Sequence, residues 1–186
     1  FPTASTSKHS TYEVVVTPSD GTGDGPTASA SVTVLNTDPV LGGPTLSAST
    51  VHRGDVLTCA ATATDADGDV STLSYGWSDG STGSTYTVSS SDASGDTITC
   101  TATADDGDGG IDTGTVSATV VNTPPSVSGV TLTPSTVQTN DTLTVSASTS
   151  DADGDPLTVS YDWYVSGAMV LSGSSTTLSG VSYFNK

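Results

Sequence analysis

The sequence predicts an all-β chain built from tandem β-sandwich units. Three observations lead there: a composition suited to short strands and turns, apolar residues that alternate with Thr and Ser, and an internal repeat of 86 residues. Twenty acidic residues face three basic ones, for a formal net charge of −17. Nineteen of the acids are Asp, and Glu13 is the single Glu. Asp is poor in helix and strand interiors, so acids of this kind belong in loops. Thr, Ser, Val and Gly dominate the remainder, which is the usage of strands joined by tight turns.

The repeat is read from three unrelated patterns that share one offset. Asn36-Thr37-Asp38-Pro39 returns as Asn122-Thr123-Pro124-Pro125 (122 − 36 = 86), and Asp65-Ala66-Asp67-Gly68-Asp69 returns as Asp151-Ala152-Asp153-Gly154-Asp155. Tyr75 and Trp77 map onto Tyr161 and Trp163 with the same displacement. One complete unit is therefore expected over residues 39–123. Within it Leu57, Cys59, Ala61 and Ala63 form the apolar face of one strand, with Thr58 and Thr62 outside. Leu73, Tyr75 and Trp77 form a second, which ends in the turn Ser78-Asp79-Gly80. Ile98, Cys100, Ala102 and Ala104 form a third, and Val116, Ala118 and Val120 a fourth. Apolar inside and Thr or Ser outside is the pattern of a strand with one solvated face.

The order Cys59…Trp77…Cys100 resembles that of immunoglobulin domains. With the Asp-Ala-Asp-Gly-Asp loop and the Asn-Thr-Pro-Pro linker, the chain is similar to the tandem immunoglobulin-like, PKD-like and cadherin-like repeats of large bacterial surface proteins. The resemblance implies Greek-key sandwiches and a disulfide between Cys59 and Cys100, behind a strand-borne Trp. The equivalent positions Val145 and Val14 are apolar, so both cysteines should point into the core; two free buried thiols are the other reading. A disulfide would place the chain outside the cytoplasm, secreted or at a cell surface. The PKD turn is only partly echoed by Trp77-Ser78-Asp79-Gly80, and the cadherin linker Asp-x-Asn-Asp-Asn is absent.

On that topology residues 1–38 supply the last two strands of a unit (F and G), and residues 124–186 supply the first strands (A to E). Tyr12, Val14 and Val16 would be the apolar knobs of the first of these strands, with Ala30, Val32 and Val34 on the second. Two expectations stand side by side. Either the sequence, starting at Phe1, is a window on a longer array, or residues 11–36 of one molecule complete residues 124–186 of the next, head to tail.

The Asp clusters point to calcium, which takes six to eight oxygen ligands. The loops at Asp65, Asp67 and Asp69 and at Asp105, Asp106 and Asp108 should share one pole, approached by Asn36, Thr37 and Asp38 of the linker. Asp151, Asp153 and Asp155 with Asn122 form the equivalent of the next unit, and Asp20 and Asp24 belong to the preceding one. The competing reading is solvated turn aspartates, which favour such loops in any case. An EF-hand is excluded: position 12 counted from Asp65 is Gly76, where a Glu is required.

So acidic a chain does not suit nucleic acid or anionic membranes, and no apolar run is long enough to span a bilayer. Catalysis is not expected. His9 and His52 have no triad or metal partner nearby in sequence, and the Gly-rich stretch from Asp106 to Gly110 precedes a strand and not a helix. Arg53-Gly54-Asp55 and the sequon Asn140-Asp141-Thr142 are short patterns that recur by chance. The leading expectation is a structural repeat of a filament or stalk stiffened by calcium, with neighbouring chains or repeats as partners. The alternatives are an adhesin segment that meets a surface receptor or glycan, through Val165 to Ser174 among other loops, and a spacer in a larger secreted enzyme.

Overall fold

A computed structural model describes residues 7–183. The chain is all-β apart from one four-residue helix, and it divides into two compact units. The first runs up to Val88 and takes in Asp96–Val120; the second comprises Ser89–Gly95 and the residues from Val121 onward.

The first unit opens with a hairpin of β1 (Thr11–Val16) and β2 (Ala28–Thr33). Tyr12 lies opposite Val32, Val14 opposite Ala30 and Val16 opposite Ala28. Val14, Val16 and Val32 are 58%, 59% and 66% exposed, so the apolar face of this hairpin is uncovered. Val34 lies just past β2, its amide bonded to Ser10 O.

Seven further strands follow: β3 (Val40–Leu46), β4 (Thr50–Val51), β5 (Val56–Thr64), β6 (Thr72–Trp77), β7 (Thr85–Thr87), β8 (Thr97–Asp105) and β9 (Ile111–Val120). They form a three-stranded sheet ordered β3-β5-β7 and a four-stranded sheet ordered β4-β9-β8-β6. All pairings are antiparallel except β4 with β9. Leu57, Cys59 and Tyr86 from one sheet and Trp77, Ile98, Cys100, Ala118 and Val120 from the other share one buried cluster. Two sheets on a common core are consistent with a β-sandwich. In β8 the alternation is complete: Ile98, Cys100, Ala102 and Ala104 are buried while Thr97 and Asp105 at its ends are exposed.

Cys59 and Cys100 are joined, with Cα atoms 6.5 Å apart, so the bond ties β5 to β8 across the core. No free thiol remains. Trp77 stands beside Tyr86 at a ring-centroid separation of 5.2 Å, and its indole N–H donates to Gly83 O at 2.8 Å. The polar end of the buried ring is thereby satisfied.

The second unit contains β10 (Ser126–Thr133), β11 (Thr142–Ser150), β12 (Tyr161–Val165), β13 (Ala168–Gly173), β14 (Thr177–Ser179) and the helix α1 (Gly180–Tyr183). β10, β11 and β14 form one sheet, and β12 and β13 form a second. Val145, Trp163 and Leu178 are its buried core, and the Trp163 indole donates to Ser175 O at 3.1 Å. The segment from Val165 to Ser174 is a hairpin arm. Ser166 and Gly167 both take positive φ (51° and 85°), the backbone of a two-residue turn that follows strand twist.

Closing a loop of 41 residues stabilises the folded chain by about 4 kcal/mol in the chain-entropy treatment. Reduction, or replacement of both cysteines by Val, should lower the melting temperature of the first unit by more than about 10 °C. An unchanged melt would show that the bond contributes nothing there.

Candidate functional site

The acidic residues gather where the linker 36–39 enters the larger sandwich. The Asp65–Asp69 loop between β5 and β6 is built around one carboxylate. Asp65 Oδ1 accepts the amides of Asp67 (2.8 Å) and Asp69 (3.3 Å), and Gly68 supplies the positive φ (87°) the turn requires. The loop between β8 and β9 repeats the device, since Asp106 Oδ1 accepts the amides of Asp108 (2.7 Å) and Gly110 (3.0 Å). Asp106 is the one buried charged side chain among the described residues. Gly110 has no space for a side chain, because a Cβ there would stand 2.3 Å from Asp106 Oδ2 and 2.9 Å from Asp38 Oδ1.

The linker closes over both loops. The Asn36 side-chain amide donates to Asp106 Oδ2 at 2.7 Å, and the Thr37 backbone amide donates to Asp67 Oδ2 at 2.7 Å. Carboxylate oxygens of Asp65, Asp69 and Asp106 lie within 4.8 Å of one another. Asp65 Oδ2 is shielded from solvent and has no hydrogen-bond partner. Among the expected ligands, Asn36, Asp65, Asp67, Asp69, Asp106 and Asp108 therefore come together with Asp38 alongside. Asp105 stands apart: it is exposed and its Oδ1 accepts the Gly107 amide.

Two residues that sequence reasoning did not place at the site belong to it. Lys8 Nζ donates to Asp69, to Asp108 Oδ2 (2.7 Å) and to Asn36 Oδ1 (3.3 Å). His9 Nε2 lies 2.6 Å from Asp108 Oδ2, a partner 99 residues away that no search of its sequence neighbourhood finds. Both sit in the turn before β1, which is tied down by the His9 amide on Val34 O (2.8 Å). The available signal was the charge balance, since Lys8 is one of three basic residues among twenty acids.

Hydrogen bonds donated to Asp108 and then to Asp69 push the Lys8 ammonium well above the ordinary lysine value. Bonds from Lys8 and His9 hold the Asp108 carboxyl below the usual carboxylate range. The Asn36 amide, the backbone amides of Asp108 and Gly110, and Lys8 do the same for Asp106.

In the second unit Asp151 Oδ1 accepts the amides of Asp153 (2.8 Å) and Asp155 (3.2 Å). The Thr123 amide donates to Asp153 Oδ2 at 2.5 Å. Carboxylate oxygens of Asp151, Asp153 and Asp155 lie within 4.8 Å of one another, and Asn122 beside them is exposed. Asp20 and Asp24 lie in the loop between β1 and β2 and belong to neither carboxylate cluster. Asp20 Oδ1 accepts Thr22 Oγ1 (2.7 Å) and the amides of Thr22 and Gly23, which lowers its pKa and fixes the turn. Asp24 bridges back to Ser19.

No family model matches the chain, and no curated protein matches it in sequence.

The charge pairs set a pH window. The lowered carboxyls stabilise the fold above their ordinary value of 3.8, and that contribution is lost as pH falls through their lower folded values. The raised lysine stabilises it below 10.5, and that contribution is lost as pH rises beyond. Melting temperature in chelator should therefore be flat between about pH 5 and pH 10 and fall on both sides. Lys8→Met should make the alkaline fall above 10.5 shallower; an unchanged alkaline arm would remove Lys8 from the site.

Proposed function

We propose that the chain is a structural repeat of a secreted or cell-surface filament or stalk, in which calcium stiffens the junction between one immunoglobulin-like unit and the next. The observation that carries this reading is the recurrence of one clamp. The Thr37 amide meets Asp67, and 86 residues on, the Thr123 amide meets Asp153. In each case the loop that receives it is folded about its first Asp in the same way.

Strand registers support the repeat. β3 pairs with β5 through Val40 with Thr64 and Leu46 with Cys59, and β10 pairs with β11 through Ser126 with Ser150 and Leu132 with Val145. Every partner is displaced by 86, including the irregularity at Gly42/Thr45 and Ser128/Thr131. The strand orders β3-β5-β7 and β4-β9-β8-β6, with the chain leaving one sheet after β3 and joining the other at β4, fit an immunoglobulin-like Greek key. Copies would join head to tail, the hairpin β1–β2 completing the second unit of the next chain.

Asp65, Asp69 and Asp106 would hold a cation at the first cluster, and Asp151, Asp153 and Asp155 at the second. The fit rests on the mutual approach of three carboxylates and on Asp65 Oδ2, a shielded oxygen with no donor of its own. When bound, calcium would neutralise these groups and bridge linker to loop. Lys8 supplies one positive charge at the first cluster, so it is a tethered competitor there. The disulfide fits an extracellular setting, and no helix is long and apolar enough to cross a membrane. The work of such a chain is mechanical and not catalytic.

Calorimetric titration of the full chain should detect calcium with dissociation constants on the order of 10⁻⁴–10⁻³ M, as in extracellular modules. Asp151→Asn with Asp155→Asn should remove one class of sites, and Lys8→Ala should tighten the other. No binding heat, together with the same melting temperature in calcium and in chelator, would overturn the calcium reading.

A further inference from the structure

Among the described residues one side of the second unit's core is uncovered, and the first unit contains a hairpin that matches it in register. In the first unit the edge of β6 is closed by β8, with Trp77 opposite Cys100 and Tyr75 opposite Ala102. β12 carries the corresponding Tyr161 and Trp163, and among the described strands it pairs with β13 alone. Beside it runs a groove lined by the apolar Val130, Leu132, Val145, Tyr161 and Trp163, with the acid Asp162 also among its lining residues. The residues 86 positions earlier are Pro44, Leu46, Cys59, Tyr75 and Trp77, and the last four pack in the core that Cys100 helps to fill. The first unit thus records what covers such a groove: the hairpin β8–β9.

The hairpin β1–β2 reproduces that hairpin pair for pair. Thr11 with Thr33, Tyr12 with Val32, Val14 with Ala30 and Val16 with Ala28 stand 86 residues before Thr97 with Thr119, Ile98 with Ala118, Cys100 with Val116 and Ala102 with Gly114. Its apolar side chains are exposed, as noted for Val14, Val16 and Val32. Neither surface carries a lysine or arginine, and the single acid on β1, Glu13, alternates with the apolar knobs and points to the other face.

We propose that β1–β2 of one copy docks into this groove of a second copy, with β1 antiparallel to β12, Val14 opposite Trp163, Val15 opposite Asp162 and Val16 opposite Tyr161. This rests on the repeat reading above and adds to it the groove and the register of the joining. It also has an electrostatic consequence. Asp20 would arrive beside Asp151 and Asp155 as Asp106 stands beside Asp65 and Asp69, so a divalent cation should promote the joining.

The first unit supplies the test, because Cys59 and Cys100, at the positions of Val145 and Val14, are bonded with Cα atoms 6.5 Å apart. Full-length Val14→Cys and Val145→Cys variants, each retaining the native disulfide, are mixed and oxidised in calcium. Most of the material should become a covalent dimer on a non-reducing gel, and the double variant should form a ladder of multiples. Val15→Cys, whose side chain points away from the groove, should not couple to Val145→Cys. Equal coupling through Val15 would overturn the register. Closure of the double variant within one chain, or folded monomers that form no bond, would overturn the second copy as occupant. If those monomers still show a calcium-dependent melting temperature, the repeat reading stands without the joining; if that shift is missing as well, both fall.

Discussion

A carboxylate withdrawn from water needs donors, and Asp106 collects them from separate parts of the chain. The amides of Asp108 and Gly110 come from its own loop, and the Asn36 side chain comes from the linker. Asp106 follows directly on β8, which the disulfide at Cys100 anchors to the opposite sheet. The linker is therefore held against a rigid element, and the position of the turn bearing Lys8 and His9 follows from it. Gly110 permits the approach, since a side chain there would drive Asp38 and Asp106 apart.

The distribution of charge follows the same logic. Strands carry Thr and Ser outward, while the Asp residues sit mostly in loops, so repulsion is concentrated in the loops and not on the strand faces. A backbone amide, an amide side chain and an ammonium each relieve it in part. Along the strands charge is sparse, and what the hairpin β1–β2 presents there is apolar side chains and open backbone edges.

Much of this was legible in the sequence because it is periodic. The faces Leu57-Cys59 and Ile98-Cys100-Ala102-Ala104 alternate as written, and the Asp loops fall at the strand ends where Asp is favoured. What was not legible depends on contacts far apart in the chain. Lys8 and His9 meet carboxylates tens of residues away, and nothing beside them in sequence announces it. Asp105 and Asp106 are neighbours of the same type, yet strand alternation turns one outward and the other to the linker. β4 is only two residues long and pairs in parallel with β9, too short a segment for a pattern. The arm β12–β13 turns on Ser166-Gly167, a cue that the preceding unit does not share.

The clamp between linker amide and loop carboxylate is the central claim, and amide hydrogen exchange reads it residue by residue. The Thr37 and Thr123 amides should exchange at least about ten-fold more slowly than an open linker, and more slowly again when calcium is added. Exchange at the open-linker rate in both conditions would contradict it, because the bonds to Asp67 and Asp153 would then not persist in solution.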